Sequence, residues 1–426
     1  MPRRVLTKDE KDQLDCTDFD DALGVGLYHY NPATLVRGYT SNGANNSNSS
    51  REGDGKGKEI VLHRGLVVNR QDEVLYEFLP MHYEIVAGGG DLGVYNILEE
   101  EGGLGAFDVF RAVEGSLLRL FYYGGKWLLT TNRKMDAFQS RWSSKYSFGD
   151  MMVYTLKCLF PSQAATEVYP FFLNSLDKTK RYVFMIRFNN DNRIVCSVHD
   201  LPIKHRMILL GYYENEDNND NNDDGRVILA YNKLLDHPVL GKLGRQPPLE
   251  TQETPTSVAE LDKFVMEQIQ PMNNPGVILF HRTKNVQYKI LHPRYVYLAG
   301  LRGNQSNLAL RYLELRAQRD HDPTHEDILE FTKLYERNDK TFQMIENGLM
   351  EVAKRINYWY TERYVNNRFI SVPYPEYSIM KKCHQWYLQD VSNRRVYLRV
   401  VMDFLKRESP LFLYRFLHRL RDENRR

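Results

Sequence analysis

The apolar residues of this chain change period near residue 300. Before that point they fall in short runs rich in Val, Ile, Leu, Phe and Tyr, separated by Gly, Asn and Asp: EIVLHRGLVVN, EVLYEFL, SLLRLFYY, KWLLTT, RYVFMIRF, RIVCSV, RVILAYN, GVILFH and VQYKIL. Runs of that length and composition predict strands. Beyond it, KTFQMIENGLMEVAKRINYWY places Ile345, Leu349, Val352 and Ile356 three and four apart, the spacing of one buried helical face. Similar stripes run through 377–387, 396–405 and 411–420. The expected organisation is a sheet-rich domain over 1–300 followed by a helical domain over 301–426, which makes the class α+β with an all-α C-terminal part.

Two stretches, SNGANNSNSSREGDGKGK at 41–58 and ENEDNNDNNDDG at 214–225, are too polar to pack and read as surface insertions. Gly124 and Gly125, between SLLRLFYY and KWLLTT, read as a hairpin turn that makes those strands antiparallel neighbours. At 426 residues the chain is long enough to bury the cores of two or three domains. Cys16, Cys158, Cys196 and Cys383 form no CxxC pair and have no His at ligand spacing, so neither a disulfide framework nor a zinc site is indicated. The N-terminus is polar, and no run approaches the roughly 18 apolar residues that span a bilayer, so the protein is expected to be intracellular, not secreted, with no membrane partner.

Net charge is +2, but its distribution is uneven. From Leu301 onward 23 Lys and Arg face 17 Asp and Glu, giving +6, while the remainder, 34 against 38, is −4. That asymmetry suits an RNA-binding face and an ordinary solvated surface about equally.

Several polar residues sit where a strand pattern sets them apart. Arg64 opens a strand, where it either faces solvent or meets an anion. Arg133, Lys134 and Arg141 concentrate charge in TTNRKMDAFQSR, a basic turn of the kind that suits a phosphate. Glu114 is expected to be exposed or paired, and Gly115 beside it permits close approach of the backbone. Asn192 and Arg193 begin another strand. Lys289 interrupts an apolar run, so it either snorkels to an edge or points into a cleft where an anion pairs with it. The aromatic residues of INYWYTERY and CHQWYLQD are expected to be core before they are base-stacking platforms. The histidines show no catalytic or metal spacing.

Taken in order, these stretches resemble the covalent nucleotidyltransferases, the superfamily of ATP-dependent RNA ligases and mRNA capping enzymes, and in particular the RNA ligase-like proteins of large DNA viruses. Arg64 to Val68 are similar to the strand that precedes the active-site motif. The motif itself, lysine, any residue, acid, Gly, Ser, falls on Ala112, Val113, Glu114, Gly115 and Ser116. YVFMIRFNNDNRIV resembles the next strand, with Asn192 to Val195 matching; Pro275 to Leu279 and Gln287 to Lys289 are similar to the last two motifs. The resemblance covers about 60–300 and implies an α+β nucleotidyltransferase fold, ATP-grasp-like, with antiparallel sheets. It also implies a lysine that attacks the α-phosphate of ATP or GTP, with Mg²⁺ or Mn²⁺.

The departures from that pattern fall on the chemistry. Ala112 cannot form a phosphoamide, and Arg111 cannot replace the lysine, because a guanidinium stays protonated and a one-residue offset turns it to the other face. The family's acids are replaced by Met185 and Pro275, and the first lysine of the last motif by Gln287. What the resemblance leaves as nucleotide- or phosphate-binding positions is Arg64, Glu114, Arg133, Lys134, Arg193 and Lys289, with no catalytic residue and no metal ligand. The leading expectation is a degenerate, inactive member that binds nucleic acid, a nucleotide or a protein partner in the host cytoplasm or the virion. The alternatives are an active ligase with a displaced nucleophile, Lys134 or Lys126, and a virion structural or assembly protein in contact with viral structural or transcription proteins.

Overall fold

The computed structural model describes residues 5–12, 14–30, 64–77, 83–89, 92–142, 144–188, 195–198, 201–213, 228–249, 255–284 and 286–423. Both polar insertions, and Arg193, lie outside these residues. The chain divides into two compact units, Met1–Val296 and Tyr297–Arg426.

The first unit holds three sheets. Strands β1 (Leu14–Asp20), β2 (Val25–Tyr30), β3 (Arg64–Asn69) and β4 (Val74–Tyr76) pair in that order, all antiparallel. A second sheet has the order β5 (Tyr83–Val86), β14 (Gln287–Leu291), β13 (Gly276–His281), β6 (Phe107–Arg111). The third and largest runs β11 (Ile228–Leu229), β10 (Met207–Tyr213), β9 (Arg181–Ile186), β7 (Ser116–Tyr123), β8 (Lys126–Thr130), with β12 (Gly244–Arg245) also on β10. The expected hairpin joins β7 to β8, and Gly124 and Gly125 turn it at φ of 56° and 83°, where a side chain would be strained. The sheets are mixed, not purely antiparallel: β5 runs parallel to β14, and β12 parallel to β10.

Strand alternation explains how these sheets layer. On β7 and β9, Leu118, Leu120, Tyr182, Phe184 and Ile186 face one way, onto the helices Phe148–Leu159 and Val168–Asn174. The first of those helices starts where Ser147 and Asp150 exchange hydrogen bonds, Ser147 Oγ accepting from Asp150 N and Asp150 Oδ2 from Ser147 N, each at 3.0 Å. The opposite face of the same strands, Leu117, Phe121, Val183 and Met185, packs with Phe110, Ile278 and Phe280 of the second sheet and with Val25, Leu27 and Val67 of the first. All three sheets therefore share one apolar centre. The far side of the second sheet is covered by Leu92–Glu100 and Val258–Gln268.

One expected strand is absent in its described part. Residues 195–198 of RIVCSV have no ladder, because the N–H groups of Val195 and Cys196 are taken by the Glu114 carboxylate. Conversely, Met207–Tyr213 forms a wholly buried central strand that the reading of apolar runs passed over, as it did β1 and β2.

The second unit contains Leu308–Gln318, Glu326–Leu334, Asp339–Tyr360, Tyr374–Leu388, Leu398–Lys406 and Pro410–Glu423. The longest buries Ile345, Leu349, Val352 and Ile356 on one face, as their spacing predicts. No helix among the described residues is long and apolar enough to cross a membrane.

Candidate functional site

The segment Ala112–Gly115 carries the chain from the last residue of β6 to the first of β7, from one sheet to the next. Ala112 is 1% exposed. Its N–H donates to the carbonyl of Gly276 at 2.8 Å, and its carbonyl accepts from Asn274 Nδ2 at 3.0 Å. Two residues earlier on β6, Phe110 packs edge-on against Phe280 and Tyr231, with ring centroids 5.7 and 5.1 Å apart. Arg111 lies on the opposite face, over the Phe264 ring at 5.4 Å.

Glu114 is the polar hub of this segment. Its Oε2 accepts from the N–H groups of Val195 and Cys196, both at 2.8 Å, and Oε1 accepts from the Tyr295 hydroxyl at 3.1 Å. Withdrawal from water holds the carboxyl above its ordinary range, a shift opposed by those donors and by the Lys289 charge. Burial likewise pushes the Cys196 thiol and the Tyr295 phenol up, with the Glu114 charge adding to both. Arg187, 4% exposed, donates from Nε to the Glu114 carbonyl at 3.0 Å. Gly115 makes a close approach, but to protein: a Cβ there would stand 2.6 Å from the Ile186 carbonyl oxygen and 2.7 Å from Met185 Cγ.

Of the six expected binding positions, the structure brings Glu114 and Lys289 near enough for the lysine's charge to favour the ionised carboxyl. Lys289 has a side chain 14% exposed with Nζ 4.0 Å from Glu84 Oε1, an intermediate between the two situations its position suggests. Arg133 and Lys134 are exposed on the turn after β8, where the Thr131 hydroxyl accepts from both of their N–H groups and Lys134 Nζ lies 3.6 Å from Asp18 Oδ1. Arg64 opens β3 opposite His29.

Three residues of this region escaped the reading of motifs. Arg187 and Tyr295 support Glu114. Arg119, 2% exposed within β7, donates from Nη1 to the Thr131 carbonyl at 3.2 Å and from Nη2 to Asn132 Oδ1. The signal for both arginines is the one that singled out Lys289, a charge inside an apolar strand.

A divalent cation needs carboxylate oxygens with lone pairs to spare. Both Glu114 oxygens are engaged by protein donors, and the positions of the family's acids hold Met185, which packs into the apolar centre, and Pro275. Among the described residues no group of three or more His, Cys, Asp or Glu converges as a metal site. This donor set does not fit Mg²⁺ or Mn²⁺ in the family's manner.

No protein-family model matches the chain. In sequence it is similar to the immediate-early protein ICP-46 homologue of Invertebrate iridescent virus 6, at 22% identity over 330 residues, covering 76% of this chain and 67% of that protein. The ICP-46 homologue of Invertebrate iridescent virus 3 is 27% identical over 254 residues, and ICP-46 of Frog virus 3 is 26% identical over 230. These matches cover 59% and 52% of this chain, which spans about half the length of each of those two relatives, 48% and 53%. Among solved structures, it overlaps lysine-to-alanine and lysine-to-methionine mutants of Naegleria gruberi RNA ligase, the first with ATP and Mn, the second with AMP and Mn. The TM-scores are 0.30 and 0.32, at 12% and 10% identity, over 47% and 48% of this chain and 54% of each of those chains. Overlaps of that size add nothing to the reading of its chemistry. In sequence the chain is thus similar to ICP-46 immediate-early proteins of these viruses, and alanine stands at position 112, where the motif resemblance implies a reacting lysine.

Proposed function

We propose that this protein is a non-catalytic RNA ligase-like protein that works by binding, not by transferring a nucleotide. The observation that carries the reading is the environment of Ala112: a buried methyl on a backbone fixed by two hydrogen bonds, at the position where covalent transfer requires an amine. The support extends to its neighbours. Glu114 spends its carboxylate on backbone N–H groups and Tyr295, which is a structural use of the motif acid.

The displaced-nucleophile alternative has less support. Lys126 Nζ lies 3.6 Å from Asp20 Oδ2, and Lys134 Nζ 3.6 Å from Asp18 Oδ1, so both amines pair with carboxylates of β1 at half-exposed positions. Neither is among the groups that contact Glu114.

The test is incubation of the full chain with α-labelled ATP or GTP and Mg²⁺ or Mn²⁺, followed by a denaturing gel. The expected result is no label on the protein. A band that survives denaturation and maps to a lysine overturns the proposal.

A further inference from the structure

The helical unit carries a surface that the motif set does not use. Residues 355–399 hold eight Lys and Arg (Arg355, Arg363, Arg368, Lys381, Lys382, Arg394, Arg395, Arg399) against three acids, Glu362, Glu376 and Asp390, a net of +5. The same stretch holds ten aromatic residues. Unlike the core aromatics of a helix bundle, several face water: Phe369 is 88% exposed, Tyr374 81% and Tyr397 64%.

These residues are arranged as arginines over rings. Arg363 lies over both Phe369 and Tyr377, at 5.9 and 5.1 Å, and Arg394 over Trp386 at 4.9 Å. Next to Arg363, Tyr364 stacks on His384 at 3.8 Å, and His384 stacks in turn on Tyr387. On Tyr374–Leu388 these contacts make two groups: a run of Arg363, Tyr377, Tyr364, His384 and Tyr387 along one side of the helix, and the Arg394–Trp386 pair on another. The run includes a π-helical turn, Thr361–Val365, in which Asn366 N donates to the Thr361 carbonyl at 2.9 Å; such turns concentrate at functional sites.

The acids cancel only part of this charge. Glu376 is 1% exposed and paired with Arg419 at 2.8 Å, while Glu362 is paired with Arg368 at 3.0 Å and Glu408 with Lys382 at 2.5 Å. Arg394 and Arg395 donate to neutral oxygens, those of Trp386, Gln389, Val391 and Arg394 itself. Solvent-facing rings flanked by uncancelled positive charge match the two faces of a single nucleic-acid strand, the π-faces of unstacked bases and the phosphates between them. An acidic protein would satisfy the charge but not the exposed, arginine-capped rings. A duplex would offer phosphates with its bases already stacked.

We infer that the 355–399 face of the helical unit is a binding platform for single-stranded nucleic acid. This goes beyond the non-catalytic reading and does not depend on it: label transfer tests one, strand binding the other.

The experiment is fluorescence anisotropy of a fluorescein-labelled, mixed-sequence single-stranded RNA titrated with the full chain over a range of salt, with the matching duplex as competitor. Two variants accompany it, Phe369→Ala with Tyr374→Ala, and Arg395→Glu with Arg399→Glu, all at surface positions that leave the core intact. The wild-type protein should bind the single strand in a salt-sensitive way and prefer it to the duplex. Loss of the two rings should weaken binding about ten-fold or more with little change in salt slope, since stacking is not screened. Charge reversal should make the slope shallower by about one unit or more. No binding of the single strand by the wild-type protein, equal affinity for duplex, or both variants binding like wild type would each overturn the proposal.

Discussion

Gly65 and Arg119 occupy one space: a Cβ on Gly65 would stand 1.8 Å from Nη1 of Arg119. The backbone at Gly65 has φ of 77°, where an L side chain is strained as well. Its backbone conformation and the end of a buried arginine on another sheet thus both favour glycine in the Arg64-Gly65 pair. Gly65→Ala should cost about 2–4 kcal/mol, the sum of backbone strain and overpacking. A double-mutant cycle with Arg119→Ala checks the cause: the two losses should be less than additive, because a shortened Arg119 removes the clash and leaves only the φ penalty.

Glu114 makes a prediction that separates shape from charge. Glu114→Ala leaves the buried N–H groups of Val195 and Cys196 without their acceptor, a loss of about 2–5 kcal/mol, read as a lower denaturant midpoint. Glu114→Gln keeps an acceptor oxygen and should cost much less.

The same carboxyl sets a pH dependence. Because its folded pKa is raised, the stability it contributes is full below the ordinary carboxylate range and is lost as pH rises through the folded value. Unfolding of wild type and Glu114→Gln, compared from acid to neutral pH, should show the wild type losing stability relative to the variant on the way up. A difference that does not change with pH would contradict the assigned shift.

The four thiols should react in two classes. Cys16 and Cys158 are exposed, whereas Cys196 and Cys383 are buried, with the Cys383 thiol pushed up to about 12. A thiol reagent should modify two residues of the native protein rapidly and the other two only on unfolding, as followed by peptide mass spectrometry.

Restoring the motif lysine should not restore chemistry. Ala112→Lys puts a long charged side chain into a site that is 1% exposed, so the variant should be less stable by at least about 2 kcal/mol. It should also take up no label from α-labelled ATP or GTP, because Met185, Pro275 and Gln287 still replace the family's acids and lysine.

Much of this was legible from local patterning. The β7–β8 hairpin followed from two glycines between apolar runs, and the long helix from four residues three and four apart. β10 was missed because MILLGYY is buried on both faces and shows no alternation, the one signal that distinguishes a half-buried strand. The parallel pairing of β5 with β14 joins residues about 200 apart, which no local signal reports. At the site, the missing lysine at Ala112 could be read directly. The use of Glu114 could not, since a carboxylate that caps two N–H groups and one that awaits a ligand look alike in sequence.

The most direct measurement is peptide mapping by mass spectrometry of the wild-type protein after incubation with ATP or GTP and Mg²⁺ or Mn²⁺. A buried Ala112, a Glu114 committed to its backbone partners and amines at Lys126 and Lys134 paired with Asp20 and Asp18 predict that every lysine remains unmodified. A nucleotide in phosphoamide linkage to Lys126, Lys134 or any other lysine would contradict the non-catalytic reading and name the nucleophile.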